Sequence, residues 1–158
     1  MEVVDLNDLI IDLEAKLLRD RLDKELLIKE SFILWYILVE GVYCESFTEA
    51  SLRNILIRNV EIYQSVYIND ADFNFIMGWM ISIAFWYFEP LITEGDGVRL
   101  LNKAYKNNPK NSLFKWAVRM ELGLRDNETE NLKIDIALRY DEFYNYGEVI
   151  KDYFLDII

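Results

Sequence analysis

Sixteen consecutive residues without a formal charge, Phe73 to Phe88, lie between Asp72 and Glu89, and they restrict the fold of this chain more than any other feature. Asp70 ahead of them suits a helix N-cap, and Glu89-Pro90 ends the helix, because proline disfavours helical geometry in the residue before it. A helix that is apolar nearly all round needs neighbours on several sides, so it belongs at the centre of the fold. Its length of about 24 Å falls short of the roughly 30 Å of a bilayer's hydrocarbon core. Acidic flanks replace the Lys/Arg anchors of a spanning segment, and the reading is a core helix with no membrane contact. Asn74, Gly78 and Ser82, spaced i, i+4, i+8, form a stripe of small or polar side chains along which another helix can approach closely. The core is expected to centre on Phe75, Met77, Trp79, Ile83 and Trp86.

Seven further helices follow from caps and 3.6-residue periodicity. Asn7 or Asp8 caps the first, which carries Leu9, Ile10, Leu13, Leu17 and Leu18; the second runs from Asp23 to Gly41. Thr48 caps a third that frays near Asn69. Beyond the central helix, Val98 to Tyr105 make a fifth, and Asn111 or Ser112 caps a sixth that ends at Gly123. Thr129 caps a seventh, and a short eighth starts at Glu148. No strand run bounded by turn signals is present, although Ile- and Tyr-rich stretches such as Tyr63 to Ile68 have strand character. With two prolines, six glycines and no Pro/Gly/Ser-rich linker, residues 1–158 read as a single all-α domain, a helical bundle or stacked helical hairpins of about eight helices.

The 53% hydrophobic and 15% aromatic content suffices for a core of that size, whereas a disordered acidic tail would be poor in both. Seventeen basic residues against 28 acidic ones leave a net charge of −11, which repels nucleic-acid phosphates and anionic membranes and suits a basic partner. The start, Met1-Glu2-Val3-Val4-Asp5, lacks the basic n-region of a secretory signal, so the expected location is the cytoplasm.

Catalytic and cofactor signatures are absent. The lack of histidine excludes His-based triads, imidazole bases and His-containing metal sites. Cys44 is the only cysteine, and Glu45 beside it disfavours a thiolate. Gly95 and Gly97 do not form a phosphate loop, and Glu94 and Asp96 lack the alternating ligands of a calcium loop. A hydrolase built on paired carboxylates has no specific support, so the expectation is a non-enzyme without cofactor or metal.

Charge distribution is more informative. Arg99 to Arg119 holds six basic residues and no acidic one, whereas Asp126 to Ile158 holds nine acids against Lys133, Arg139 and Lys151. Such acids can simply be a solvated face, or they can steer a cationic partner. For the second reading, the candidate contact face runs from Asp135 to Glu148, with Asp141, Glu142 and Glu148 as rim charges around Tyr140, Tyr144 and Tyr146. A second candidate face comprises Asp70, Asp72, Glu94 and Asp96, acids placed near helix starts where a partner can reach them.

Phe75-Ile76-Met77-Gly78-Trp79-Met80-Ile81-Ser82-Ile83, with Phe85, Tyr87 and Phe88 after it, resembles a segment of the all-helical immunity proteins of bacterial contact-dependent growth inhibition systems. Ala104-Tyr105 followed by Asn108-Pro109-Lys110-Asn111 is similar too. The likeness lies in hydrophobic texture between Asp70 and Gly123 and includes no residue-level binding motif. It implies a cytoplasmic inhibitor that binds the carboxyl-terminal domain of a cognate toxin, a basic nuclease, and blocks it by occlusion without touching nucleic acid. The alternative is a helical-repeat-like protein-protein adaptor: Ala104 and Pro109 resemble one tetratricopeptide unit, but no second copy follows at about 34 residues.

Overall fold

A computed structural model describes residues 4–158, which form eight α-helices and no strand. They are α1 (Leu6–Arg19), α2 (Lys24–Glu40), α3 (Glu49–Ile62), α4 (Ala71–Ala84), α5 (Asp96–Asn107), α6 (Ser112–Glu121), α7 (Asn127–Phe143) and α8 (Glu148–Ile157). No helix among the described residues is long and apolar enough to cross a membrane.

Most boundaries follow short-range capping chemistry. Asp23, Thr48, Asp70 and Asn111 accept hydrogen bonds from the backbone N–H groups of Leu26, Ser51, Phe73 and Phe114, each three residues on. Gly41 ends α2 at φ +64°, a conformation glycine adopts without a Cβ penalty. Two caps differ from expectation. Asp5, not Asn7 or Asp8, caps α1, because Asn7 is engaged elsewhere: its Oδ1 accepts from the Ser46 N–H at 2.9 Å and its Nδ2 donates to Ser46 Oγ at 3.2 Å. Asp126, not Thr129, caps α7; Thr129 is buried, donates its hydroxyl to the Leu124 carbonyl and accepts from Arg119 Nε.

α4 lies at the centre, packed on α2, α5 and α6. Its small-residue stripe meets α5 so closely that a Cβ on Gly78 would stand 2.8 Å from Leu101 N and 2.9 Å from the Gly97 carbonyl oxygen. The approach is mutual, since a Cβ on Gly97 would stand 2.7 Å from Ser82 N. Asn74, the third member of the stripe, is buried and accepts the Tyr63 hydroxyl proton instead. Tyr63 to Tyr67, the segment with strand character, form a π-helical turn that continues α3. Its wider i→i+5 winding shifts the side-chain phase; Tyr63 is fully buried, and the Tyr67 hydroxyl donates to the Leu22 carbonyl.

Phe75, Met77 and Trp79 are buried as expected, whereas Ile83 and Trp86 are 38% and 50% exposed. The helix stops at Ala84, whose backbone (φ −148°, ψ 60°) leaves the helical region, and Phe85–Phe88 continue as a 3-10 turn. That break turns Trp86 outward, where its carbonyl accepts from Arg53 Nη2 at 3.0 Å, and turns Phe88 inward. Aromatic packing joins the carboxyl-terminal half to α4. Phe75 stacks on Phe114 with centroids 4.6 Å apart, Trp79 stacks on Trp116 at 5.4 Å, and Phe154 of α8 lies 5.4 Å from both Phe75 and Trp79.

Candidate partner-binding site

The structure redistributes the side chains of the two acidic faces. Tyr140 and Tyr144 are 3% and 2% exposed and belong to the core, which corrects their expected role as surface anchors. The Tyr140 ring packs on Phe154, and the Tyr144 ring packs on Phe75 and Phe114 while its hydroxyl donates to the Asp72 carbonyl at 3.0 Å. Burial pushes both phenols up. Tyr146 is half-buried and donates its hydroxyl to Asp72 Oδ2 at 2.6 Å, so one bond joins the two predicted faces. Its phenol is raised by burial and by that bond.

The carboxylates of these faces are largely compensated. Asp135 accepts from Arg139 Nε at 2.8 Å and from Ser112 Oγ at 2.5 Å, and these two donors, Arg139 foremost, hold it below the usual carboxylate range. Arg139 also pairs with Glu142 at 2.9 Å, and Lys151 pairs with Asp141 at 2.8 Å. Lys24 lies 3.0 Å from Asp70 and 3.9 Å from Asp72. Asp96 takes hydrogen bonds from Thr93 N and Oγ1 and pairs with Arg99 at 2.9 Å, while Glu94 is exposed.

The basic hairpin of α5 and α6 accounts for other tail acids. Lys115 pairs with Glu128, and Arg119 pairs with Asp126 at 2.5 Å and Glu128 at 2.8 Å, clamping the start of α7 onto α6. Glu130 pairs with Lys133. After these pairings, Glu148, Asp152 and Asp156 are the tail acids without an ion-pair partner among the described residues. They are spaced i, i+4, i+8 and therefore lie along one side of α8.

Asp152 and Asp156 line a groove of about 500 Å³ between α2, α8 and the start of α1. Phe32, Tyr36 and Tyr153 form its aromatic wall: Tyr153 meets Phe32 edge-on at 5.2 Å and Tyr36 at 6.1 Å. Trp79 Nε1 donates to the Tyr153 hydroxyl at 3.1 Å and fixes that ring. Glu40, the last residue of α2, brings a third exposed carboxylate to the groove, and no basic side chain lines it among the described residues. The candidate faces read from the sequence ended at Glu148 and included no residue of α2, so they did not reach this site. The available signal was Phe32, Tyr36 and Glu40, an i, i+4, i+8 series on α2 matching the acidic series on α8.

A separate polar cluster lies between α1, α2 and α3. Arg58 Nη2 is 2.6 Å from Glu14 Oε1 and 3.2 Å from Glu30 Oε2, and Asn59 Nδ2 donates to Glu30 Oε2 at 2.9 Å. Glu30 is fully buried and its Oε1 finds no donor. Burial pushes its carboxyl up to about 8; the hydrogen bond and charge of Glu14 reinforce that shift, and Asn59 and Arg58 oppose it. Protonated, Glu30 can share its proton with Glu14, whose own carboxyl is lowered by Arg58 and Glu30 against the desolvation of burial.

Because the folded chain holds the Glu30 proton more tightly than the unfolded chain, its contribution to stability is complete below about pH 4.5 and is lost as pH rises through about 8. Wild-type protein should therefore unfold at lower urea concentration at pH 9 than at pH 5. Glu30→Gln, which keeps the shape and removes the titration, should show a shallower decline. An equal decline in both proteins would exclude Glu30 as the source.

Cys44 is buried, and its thiol is raised by burial and by Asp5. No group of three or more Cys, Asp or Glu side chains capable of holding a metal ion occurs among the described residues. Comparison of the chain with protein-family models, curated proteins and solved structures found no match.

Proposed function

We propose that this chain is an immunity-type inhibitor that binds a cognate basic toxin domain, a nuclease, in the cytoplasm and blocks it by occlusion, with no chemistry of its own. The observation that carries this reading is the groove between α2 and α8, where Glu40, Asp152 and Asp156 are exposed and unpaired among the described residues beside an aromatic wall. Carboxylates left unpaired in a chain of net charge −11 attract a cation-rich surface at long range, and adjacent aromatic rings supply the contact that slows dissociation. A nuclease domain that grips phosphates carries such a cationic surface. The resemblance of the central helix to immunity proteins of growth inhibition systems supplies the class of partner.

The test begins with purification of the tagged chain from native host lysate, followed by assay of any stoichiometric basic polypeptide for nuclease activity. Titrating purified chain into that polypeptide should abolish cleavage at a one-to-one ratio, with an association rate that falls steeply as salt is raised. Failure to capture a basic polypeptide, or full nuclease activity at saturation, would overturn the reading.

A further inference from the structure

We infer that the α2–α8 groove is a receptor for arginine side chains presented by a basic polypeptide segment; the inference rests on the proposed function only for the identity of that polypeptide. Its first ground is electrostatic. Glu40 is the last residue of α2 and Asp156 lies in the last turn of α8, and neither last turn carries a basic residue. The carboxyl end of a helix already bears roughly half a negative elementary charge from its unsatisfied carbonyls, so an acid there is disfavoured unless a cation joins it. Two such ends open on the same groove, and neither Glu40 nor Asp156 has a cationic partner among the described residues. Elsewhere in the tail the acids of α7 are paired with Arg or Lys, whereas Asp152 and Asp156 face the groove without such a pair among the described residues.

The second ground is the chemistry of the walls. A lone cationic patch would be served by solvated acids, whereas this cleft is lined by the acids together with the rings of Tyr36 and Tyr153. A guanidinium is planar and weakly hydrated, stacks on aromatic faces and forms paired hydrogen bonds to carboxylates; the compact, strongly hydrated ammonium of lysine uses such a site less fully. Tyr153 is held in place by Trp79 and by its T-shaped contact with Phe32, so the position of this ring in the wall is fixed before a partner arrives. The room available, about 500 Å³, accommodates side chains from an extended or helical segment.

A short fluorescein-labelled peptide of alternating arginine and alanine, followed by anisotropy, tests this without the toxin. Glu40→Gln/Asp152→Asn/Asp156→Asn should weaken binding about tenfold or more. Glu45→Gln/Glu61→Gln/Glu89→Gln, an equal charge change at exposed positions elsewhere, should weaken it less than about threefold. Tyr36→Leu should weaken the arginine peptide and leave a lysine-alanine peptide, itself the poorer ligand, nearly unaffected. All the substituted acids are exposed, and unchanged melting curves will establish that the fold is kept. Equal weakening by the two triple variants would reduce the effect to the general field of the molecule and overturn the inference, as would equal affinity for the two peptides. Inhibition of the captured nuclease that survives the groove triple variant overturns the groove as contact surface while leaving neutralisation standing. A groove-specific peptide response beside an uninhibited captured partner supports the groove and removes only the inhibitor reading.

Discussion

Gly78→Leu should destabilise the fold by about 3 kcal/mol, the upper part of the usual range for overpacking a closed interface. A Cβ alone at that position would fall within 3 Å of the Leu101 amide nitrogen, the Gly97 carbonyl oxygen and the Leu101 Cγ. Two of those atoms are backbone, so α5 has to move as a body, and its displacement would break the reciprocal fit of Gly97 under Ser82. Gly78→Ala should already lower the urea midpoint. Gly95→Ala is the matched control: Gly95 has φ −68°, and a Cβ there meets nothing within 4 Å, so its midpoint should hold or rise slightly. A Gly78→Leu protein that melts with the wild type would refute the close approach of α4 and α5.

Phe154→Ala should cost about 3–5 kcal/mol, the range for truncating a fully buried aromatic side chain. The ring lies 5.4 Å from Phe75 and from Trp79, 6.5 Å from Tyr140 and 5.2 Å from Tyr153. Those partners belong to α4, α7 and α8, and with Ile150 the ring supplies the buried residues that seat α8. Calorimetry should record the loss, and hydrogen exchange should place it first in α8. Because α8 carries Asp152, Tyr153 and Asp156, the same variant should also weaken the arginine peptide. Retained stability together with slow exchange in α8 would show that the helix is held by other contacts.

These expectations divide along the distance over which each interaction acts. Asp70 and Thr48 were legible as caps, and Asn111 as one of two candidates beside Ser112, because a capping side chain reaches an N–H three residues along, and the uncharged run from Phe73 was legible as a central helix because its texture belongs to one continuous segment. The stripe of Gly78 and Ser82 announced a close helix neighbour, while Gly97 and Leu101 became its partners only in the folded chain. Asn7 lost the capping role to Asp5 because Ser46 arrives from the loop between α2 and α3. Tyr140 and Tyr144 read as anchors beside acids, yet α4, α6 and α8 enclose them. Their acidic neighbours read as free charges until Arg139 and Lys151 were found turned onto them. By itself, then, the sequence determined the helices, most of their ends and the excess of negative charge, all set by composition or by residues a turn apart. Tertiary structure alone decided which aromatic rings are hidden and which carboxylates stay unpaired, because both depend on what distant segments bring within a few ångströms.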